Sequence, residues 1–165
     1  EEIWAVMPGE RHASVFMSEW YDGLFALDDG DYDKAFWKET INLINAVNEA
    51  IEPLRMGKVI GGSLEATVKI LPRGELQRKF LEKWGDELRF ILIVSEASVI
   101  AEGAEMAGDG YATPDYFIWI EKNSDRKCVR CWHQRADVGQ SSVHPELCGR
   151  CIENITGAGE RRRLA

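Results

Sequence analysis

Two Cys-x-x-Cys pairs, Cys128-Val-Arg-Cys131 and Cys148-Gly-Arg-Cys151, hold all four cysteines of this 165-residue chain. In each pair the short turn lets both thiolates face one centre, and two such turns compose a tetrahedron. Zinc suits that set, because it takes four soft sulfur ligands with no further geometric demand. Four thiolates also close the coordination sphere and leave no position for a water or a substrate. The pattern therefore predicts a structural metal and not a catalytic one. Disulfides would need an oxidising compartment, and nothing in the chain resembles a signal peptide. A redox pair would need one Cys-x-x-Cys opening a helix after a strand. An iron–sulfur site on the same four cysteines stays open, with zinc the commoner occupant of this spacing. His133 and His144 are read as surface residues or as groups behind the ligands.

Charge is divided unevenly about that region. The formal net charge is −8, yet from Arg126 onward eight Arg or Lys face four Asp or Glu. Residues 1–125 carry twelve basic and twenty-four acidic side chains. A basic metal module on an acidic body places any polyanionic partner at the tail. Four thiolates on one zinc subtract about two charges locally, so a merely solvated tail is the alternative. No apolar run approaches the roughly 20 residues of a membrane span. Reduced cysteines fit the cytoplasm. The opening Glu-Glu-Ile-Trp, without Met, reads as a piece of something longer.

The remaining pattern predicts an α+β chain. Ile3-Trp4-Ala5-Val6-Met7 is apolar and stops at Pro8-Gly9, a turn signal. The aromatic residues that follow, through Trp20 and Tyr21, are expected to dock onto neighbouring helices. A helix capped by Asp31 or Asp33 should carry Trp37, Ile41, Ile44, Val47, Ile51 and Leu54 on one core-facing stripe. Pro53 should kink or loosen its last turn, and Gly57 should stop it. Leu64, Ala66, Val68 and Ile70 alternate with polar neighbours, as a half-buried strand does. Leu76, Phe80, Leu81 and Trp84 mark an amphipathic helix ended by Gly85. Residues 87–94 read as a helix capped by Asp86, although a buried strand fits so short a run too. Ser98 to Ala101 is β-prone, Gly103 to Pro114 reads as a loop, and Phe117 to Ile120 as a strand feeding the metal module. The Asp28–Asp33 run lacks the glutamate that closes an EF-hand and reads as a helix-capping linker. There is no phosphate-cradling glycine loop and no nucleophile elbow, and the three histidines lack evident catalytic partners.

Cys128-Val-Arg-Cys131-Trp132-His133 followed by Cys148-Gly-Arg-Cys151 resembles the C-terminal zinc finger of bacterial isoleucyl-tRNA synthetases. Three further stretches match in order. They are Glu1-Glu2-Ile3-Trp4 with Pro8-Gly9-Glu10-Arg11, then Gly61-Gly62-Ser63-Leu64-Glu65-Ala66, then Gly85-Asp86-Glu87-Leu88-Arg89-Phe90. The resemblance implies three segments: 1–58 from the end of a helical anticodon-binding domain, 59–123 an α+β junction domain, and 124–165 a zinc module that binds tRNA. It implies a monomeric parent that joins isoleucine to its tRNA, with ATP and Mg2+ handled upstream of this chain. The upstream domains and the anticodon arm of isoleucine tRNA would be its partners. Unpaired bases stack on aromatic or guanidinium planes, so Arg130, Trp132, His133, Arg135 and Arg150 are candidate tRNA contacts. Arg161, Arg162 and Arg163 would follow the backbone. Trp132 has packing beneath the metal as its alternative, and each arginine a solvated surface role. The zinc finger of formamidopyrimidine-type DNA glycosylases is similar in spacing and grips DNA. That family needs an N-terminal proline nucleophile and a helix–two-turn–helix unit, which this chain does not show.

Overall fold

The computed structural model describes residues 1–25, 30–104, 108 and 110–164, in two compact units, Glu1–Asp33 and Lys34–Ala165. Asp28 and Asp29 of the acidic run, and residues 105–107 and 109 of the expected loop, lie outside the described residues. In the first unit, α1 (Glu2–Val6) is followed by a 3-10 turn, Val15–Met17, whose Phe16 amide donates to Ser14 Oγ. Trp4 Nε1 donates to the His12 carbonyl at 2.9 Å, and Arg11 Nη2 to that of Ala5 at 2.6 Å. Phe16, Trp20, Leu24 and Phe25 stay exposed.

The second unit begins with α2 (Lys34–Met56), directly after Asp33, one of the two expected caps. The sheet has the order β2-β1-β4-β3, from β1 (Ala66–Pro72), β2 (Glu96–Val99), β3 (Tyr111–Ala112) and β4 (Tyr116–Lys122). β1 runs parallel to β2 and antiparallel to β4, with Val68 opposite Ile120 and Ile70 opposite Ile118. The parallel pair needs a crossover. It is supplied by α3 (Glu75–Trp84) and by α4 (Leu88–Ile91), which follows a 3-10 turn over Gly85–Glu87. Ala66, Val68 and Ile70 are fully buried, as the alternation predicted. The 87–94 stretch is thus helical at its start, and Asp86 lies inside the 3-10 turn instead of capping it. Leu64 falls in a 3-10 turn before β1, and β3 interrupts the expected loop. Among the described residues no helix is long and apolar enough to cross a membrane.

The expected stripe of α2 is displaced. Phe36, Thr40, Leu43, Val47, Ala50 and Ile51 face the core, whereas Trp37 is 40 % and Ile41 57 % exposed. Two apolar stripes overlap on this helix, and the chosen one contains a threonine that periodicity discounts. Its hydroxyl is satisfied locally, because Thr40 Oγ1 donates to the Phe36 carbonyl at 2.9 Å, so burial leaves no orphan. Tyr116 ties the helix to β4 by donating to Glu39 at 2.7 Å. Burial, then the Glu39 bond and charge, push the Tyr116 phenol far above its ordinary value. Leu76, placed by pattern on the inner face of α3, is 79 % exposed.

Helix α2 ends at Met56, directly before Gly57 as expected, but by a different device. Pro53 is accommodated, and the helix continues to Met56. The left-handed residue that terminates it is Lys58, at φ 56°, and not Gly57. Val59 N donates to Leu54 O at 2.9 Å and Lys58 N to Arg55 O at 3.0 Å, the bond pattern of a Schellman motif with lysine where glycine is preferred. A side chain in that conformation costs about 1 kcal/mol, and Lys58 is exposed. Lys58→Gly should therefore stabilise the chain by about 1 kcal/mol, read as a raised urea midpoint with unchanged slope.

Candidate metal centre

The first cysteine pair sits in a tight hairpin. Trp132 N donates to Cys128 O at 2.9 Å, and Cys128 N to His133 O at 2.9 Å. Lys127 and Gln134 form an isolated antiparallel bridge. Closing this loop requires a left-handed residue, and Trp132 supplies it at φ 67°. The second pair opens α5 (Gly149–Thr156), with Cys148 at the cap position. Cys148 has no side-chain cap of its own. Asp137 reaches from the intervening loop instead and accepts from Gly149 N at 2.8 Å, placing a carboxylate at the positive end of the helix.

These two frames bring the four sulfurs within 4.8 Å of one another. Cys131 and Cys148 Sγ are 3.7 Å apart. A tetrahedron with zinc–sulfur bonds of about 2.3 Å has edges of about 3.8 Å, so the donor set fits the predicted ion. Cys128, Cys148 and Cys151 are buried. Cys128 Sγ accepts from Cys148 N at 3.4 Å, and Cys151 Sγ from Arg130 Nη1 at 3.6 Å, bonds that favour thiolates. Burial opposes ionisation of Cys128, but amides of Cys131, Cys148 and Arg130 outweigh it and bring the thiol down to about 6. Burial raises Cys131 and Cys148. Among the described residues, the apolar side chains packed with the four cysteines are Val138 and Leu147. So small an apolar cluster suits a module held together by a metal.

The candidate tRNA contacts separate into two groups. Trp132 is 59 % exposed, with Lys127 Nζ 4.8 Å from its ring centroid, which removes the alternative of packing beneath the metal. Arg130 is exposed beside it in sequence, and Arg161 is exposed at the tail. His133, Arg135 and Arg150 are half-buried against the crossover segment, and Arg162 and Arg163 contact it while staying exposed. His133 lies edge-on to Phe90, 5.9 Å between ring centroids. Burial, then Arg150 and Arg89, hold its pKa below the ordinary imidazole value. Arg135 Nη1 donates to Ser95 O at 3.4 Å, and Gln134 N to Ser95 Oγ at 2.6 Å. Arg150 pairs with Glu160 at 2.8 Å, and Glu160 also takes Arg162 at 2.7 Å. The Arg162 guanidinium stacks on Phe90 at 3.9 Å. Glu87 accepts the amides of Arg163 and Leu164, at 2.5 and 2.7 Å, and Arg163 Nη2 donates to Lys83 O.

Phe90, Glu87, Arg89 and Ser95 therefore form the receptor for the metal module. The sequence signalled three of them only as part of the Gly85–Phe90 motif, with no role attached. Ser95 carried no signal at all.

Residues 126–154 match the family model described as "Zinc finger found in FPG and IleRS". All of the chain aligns, at 45 % identity over 172 residues, with the isoleucine–tRNA ligase of Alkalilimnicola ehrlichii. The enzyme of the same name from Methylococcus capsulatus is 47 % identical over 98 % of the chain, and that from Alcanivorax borkumensis 47 % over all of it. The chain spans 17 or 18 % of the length of these curated relatives. It is thus a counterpart of the C-terminal part of bacterial isoleucine–tRNA ligases, and it carries a metal module of the kind found in FPG and IleRS.

Proposed function

We propose that this chain is the tRNA-binding end of an isoleucine–tRNA ligase, a cytoplasmic and monomeric enzyme that charges isoleucine tRNA at the expense of ATP. ATP and Mg2+ belong to a catalytic domain outside these residues, since no catalytic constellation was found in the sequence. Residues 1–58 are read as the end of the anticodon-binding helices, 59–123 as the junction domain and 124–165 as the zinc module. The observation that carries the reading is Trp132, an indole held outside the four-cysteine centre by a strained backbone, with Arg130 two residues before it. An exposed, pre-positioned aromatic plane with the Lys127 ammonium 4.8 Å from its centroid suits an unstacked base with its phosphate. The similarity to ligases over the whole chain favours RNA over the DNA of the glycosylase reading, because the matched finger alone is common to both.

The test uses Trp132→Ala, which leaves all four cysteines and the Phe90 contacts untouched. Loss of one stacked base costs about 1–3 kcal/mol, so affinity for isoleucine tRNA should fall at least roughly fivefold with the zinc content unchanged. Trp132→Phe should recover most of it. Equal affinity of wild type and the alanine variant would remove Trp132 from the interface. A preference of the wild-type chain for duplex DNA over tRNA would favour the glycosylase reading.

A further inference from the structure

Arg89 has no role in RNA contact or in metal ligation, yet it stands in an unusual place. It comes from α4, in the crossover of the sheet. It lines one pocket of about 120 Å3 together with Phe90, Arg135, Arg150 and the two ligands Cys131 and Cys148. Its Nε is buried without a hydrogen-bond partner among the described residues, as are both ring nitrogens of His133 in the same pocket. Burial, then the charges of Arg135 and Arg150, hold the Arg89 guanidinium below its ordinary value, with Asp86 and Glu160 pulling the other way.

Three guanidiniums gathered in a small pocket repel one another unless an anion balances them. Asp137 brings one carboxylate, with Oδ2 engaged at the start of α5 and Oδ1 buried without a hydrogen-bond partner among the described residues. Glu160 is shared between Arg150 and Arg162. Asp137 and Asp86 supply two charges against three guanidiniums, and the metal centre, two of whose ligands line the same pocket, is a further anionic group. Four thiolates around one divalent ion carry a net charge of about −2, and two of the ligand residues, Cys131 and Cys148, line this pocket. With neutral thiols the same arginines face no such charge.

We propose that Arg89 is an outer counter-ion of the metal centre, supplied by the sheet, so that metal binding also clasps the metal module onto α4. The linkage runs both ways. Arg89 raises metal affinity, and the metal relieves the repulsion that would otherwise loosen the Phe90 contacts. This role is independent of tRNA binding and stands or falls apart from it.

The experiment compares Arg89→Met, which keeps the length and removes the charge, with Arg89→Lys, which keeps both. Zinc affinity is read by competition with a chromophoric chelator, and urea stability is read with and without zinc. Outer partners of metal ligands are commonly worth about 10–100-fold in affinity. Arg89→Met should raise the zinc Kd about tenfold, Arg89→Lys should raise it much less, and the zinc-free methionine variant should be no less stable than the zinc-free wild type. An unchanged zinc Kd in Arg89→Met overturns the proposal. So does an equal loss of stability with and without zinc, which is the signature of packing alone. Hydrogen exchange of the wild-type chain gives a second reading that needs no variant. Zinc removal must speed exchange at the α4 amides as well as between residues 128 and 151, and unchanged protection of α4 would also overturn the proposal.

Discussion

Replacing Cys128 by serine abolishes tight zinc binding and unfolds the metal module while the sheet persists. Cys128 is fully buried, and its sulfur receives a backbone amide of the second knuckle. No other described residue offers a fourth thiolate, since the chain has four cysteines in all. Structural zinc contributes on the order of 10–16 kcal/mol to folding in modules of this size. Among the described residues Val138 and Leu147 are the other apolar packing around the ligands, so losing even half of that free energy exceeds what the module's own core supplies. Far-UV circular dichroism should show the loss of α5, and exchange protection should vanish between residues 128 and 156. The β1–β4 pairing should keep its protection. A chelator added to the wild-type chain should reproduce the same map. Full retention of structure in the metal-free chain would end the structural-metal reading.

That contribution depends on pH, and its sign follows from the thiols. Burial raises Cys131 and Cys148 above the ordinary thiol value, so both carry protons at neutral pH without metal. Cys128, brought down to about 6, is already largely ionised. Metal binding requires thiolates and therefore expels those protons. The loaded state holds fewer protons, so its stability rises with pH and is lost as pH falls. Proton release on zinc addition to a weakly buffered solution measures this directly.

Truncating Trp84 to alanine should cost about 3–5 kcal/mol, the usual range for a buried aromatic ring. Trp84 is 0 % exposed and is the largest fully buried side chain described. Its ring stacks on Phe36 at 5.3 Å and meets Trp37 edge-on at 5.9 Å. It thereby joins α3 to α2, and its loss opens a cavity beside the Phe36–Phe80 ring contact that also links those helices. The indole N–H finds no hydrogen-bond partner among the described residues. Trp84→Phe should therefore cost far less than Trp84→Ala, because it retains much of the ring area and removes an unsatisfied donor. Urea midpoints of the two variants test the contrast. Equal losses would show that the N–H, and not the ring, matters at this position.

The metal centre was legible in the sequence because everything it needs is local. A Cys-x-x-Cys turn aims two sulfurs whatever the rest of the chain does, and two turns within twenty-four residues close the tetrahedron. The alternation of Ala66, Val68 and Ile70 was legible for a similar reason, since the period of a strand is a property of its own backbone. The resemblance extended that reading to the ligase family, which whole-chain similarity bears out.

What tertiary contact alone decided is equally specific. Two stripes of α2 could have faced inward, and the one that does includes Thr40, whose hydroxyl is satisfied within the helix. Arg150, Arg162 and Arg163 look in sequence like free cations awaiting a polyanion. The fold gives them Glu160, Phe90 and the Lys83 carbonyl, partners as far as 80 residues away. Trp132, a few positions along the same chain, is left facing outward, while the exposed Arg130 reaches back to Cys151 Sγ. Charge and spacing are written in the sequence, but whether a guanidinium meets solvent or a carboxylate depends on which distant segment the folded chain brings beside it.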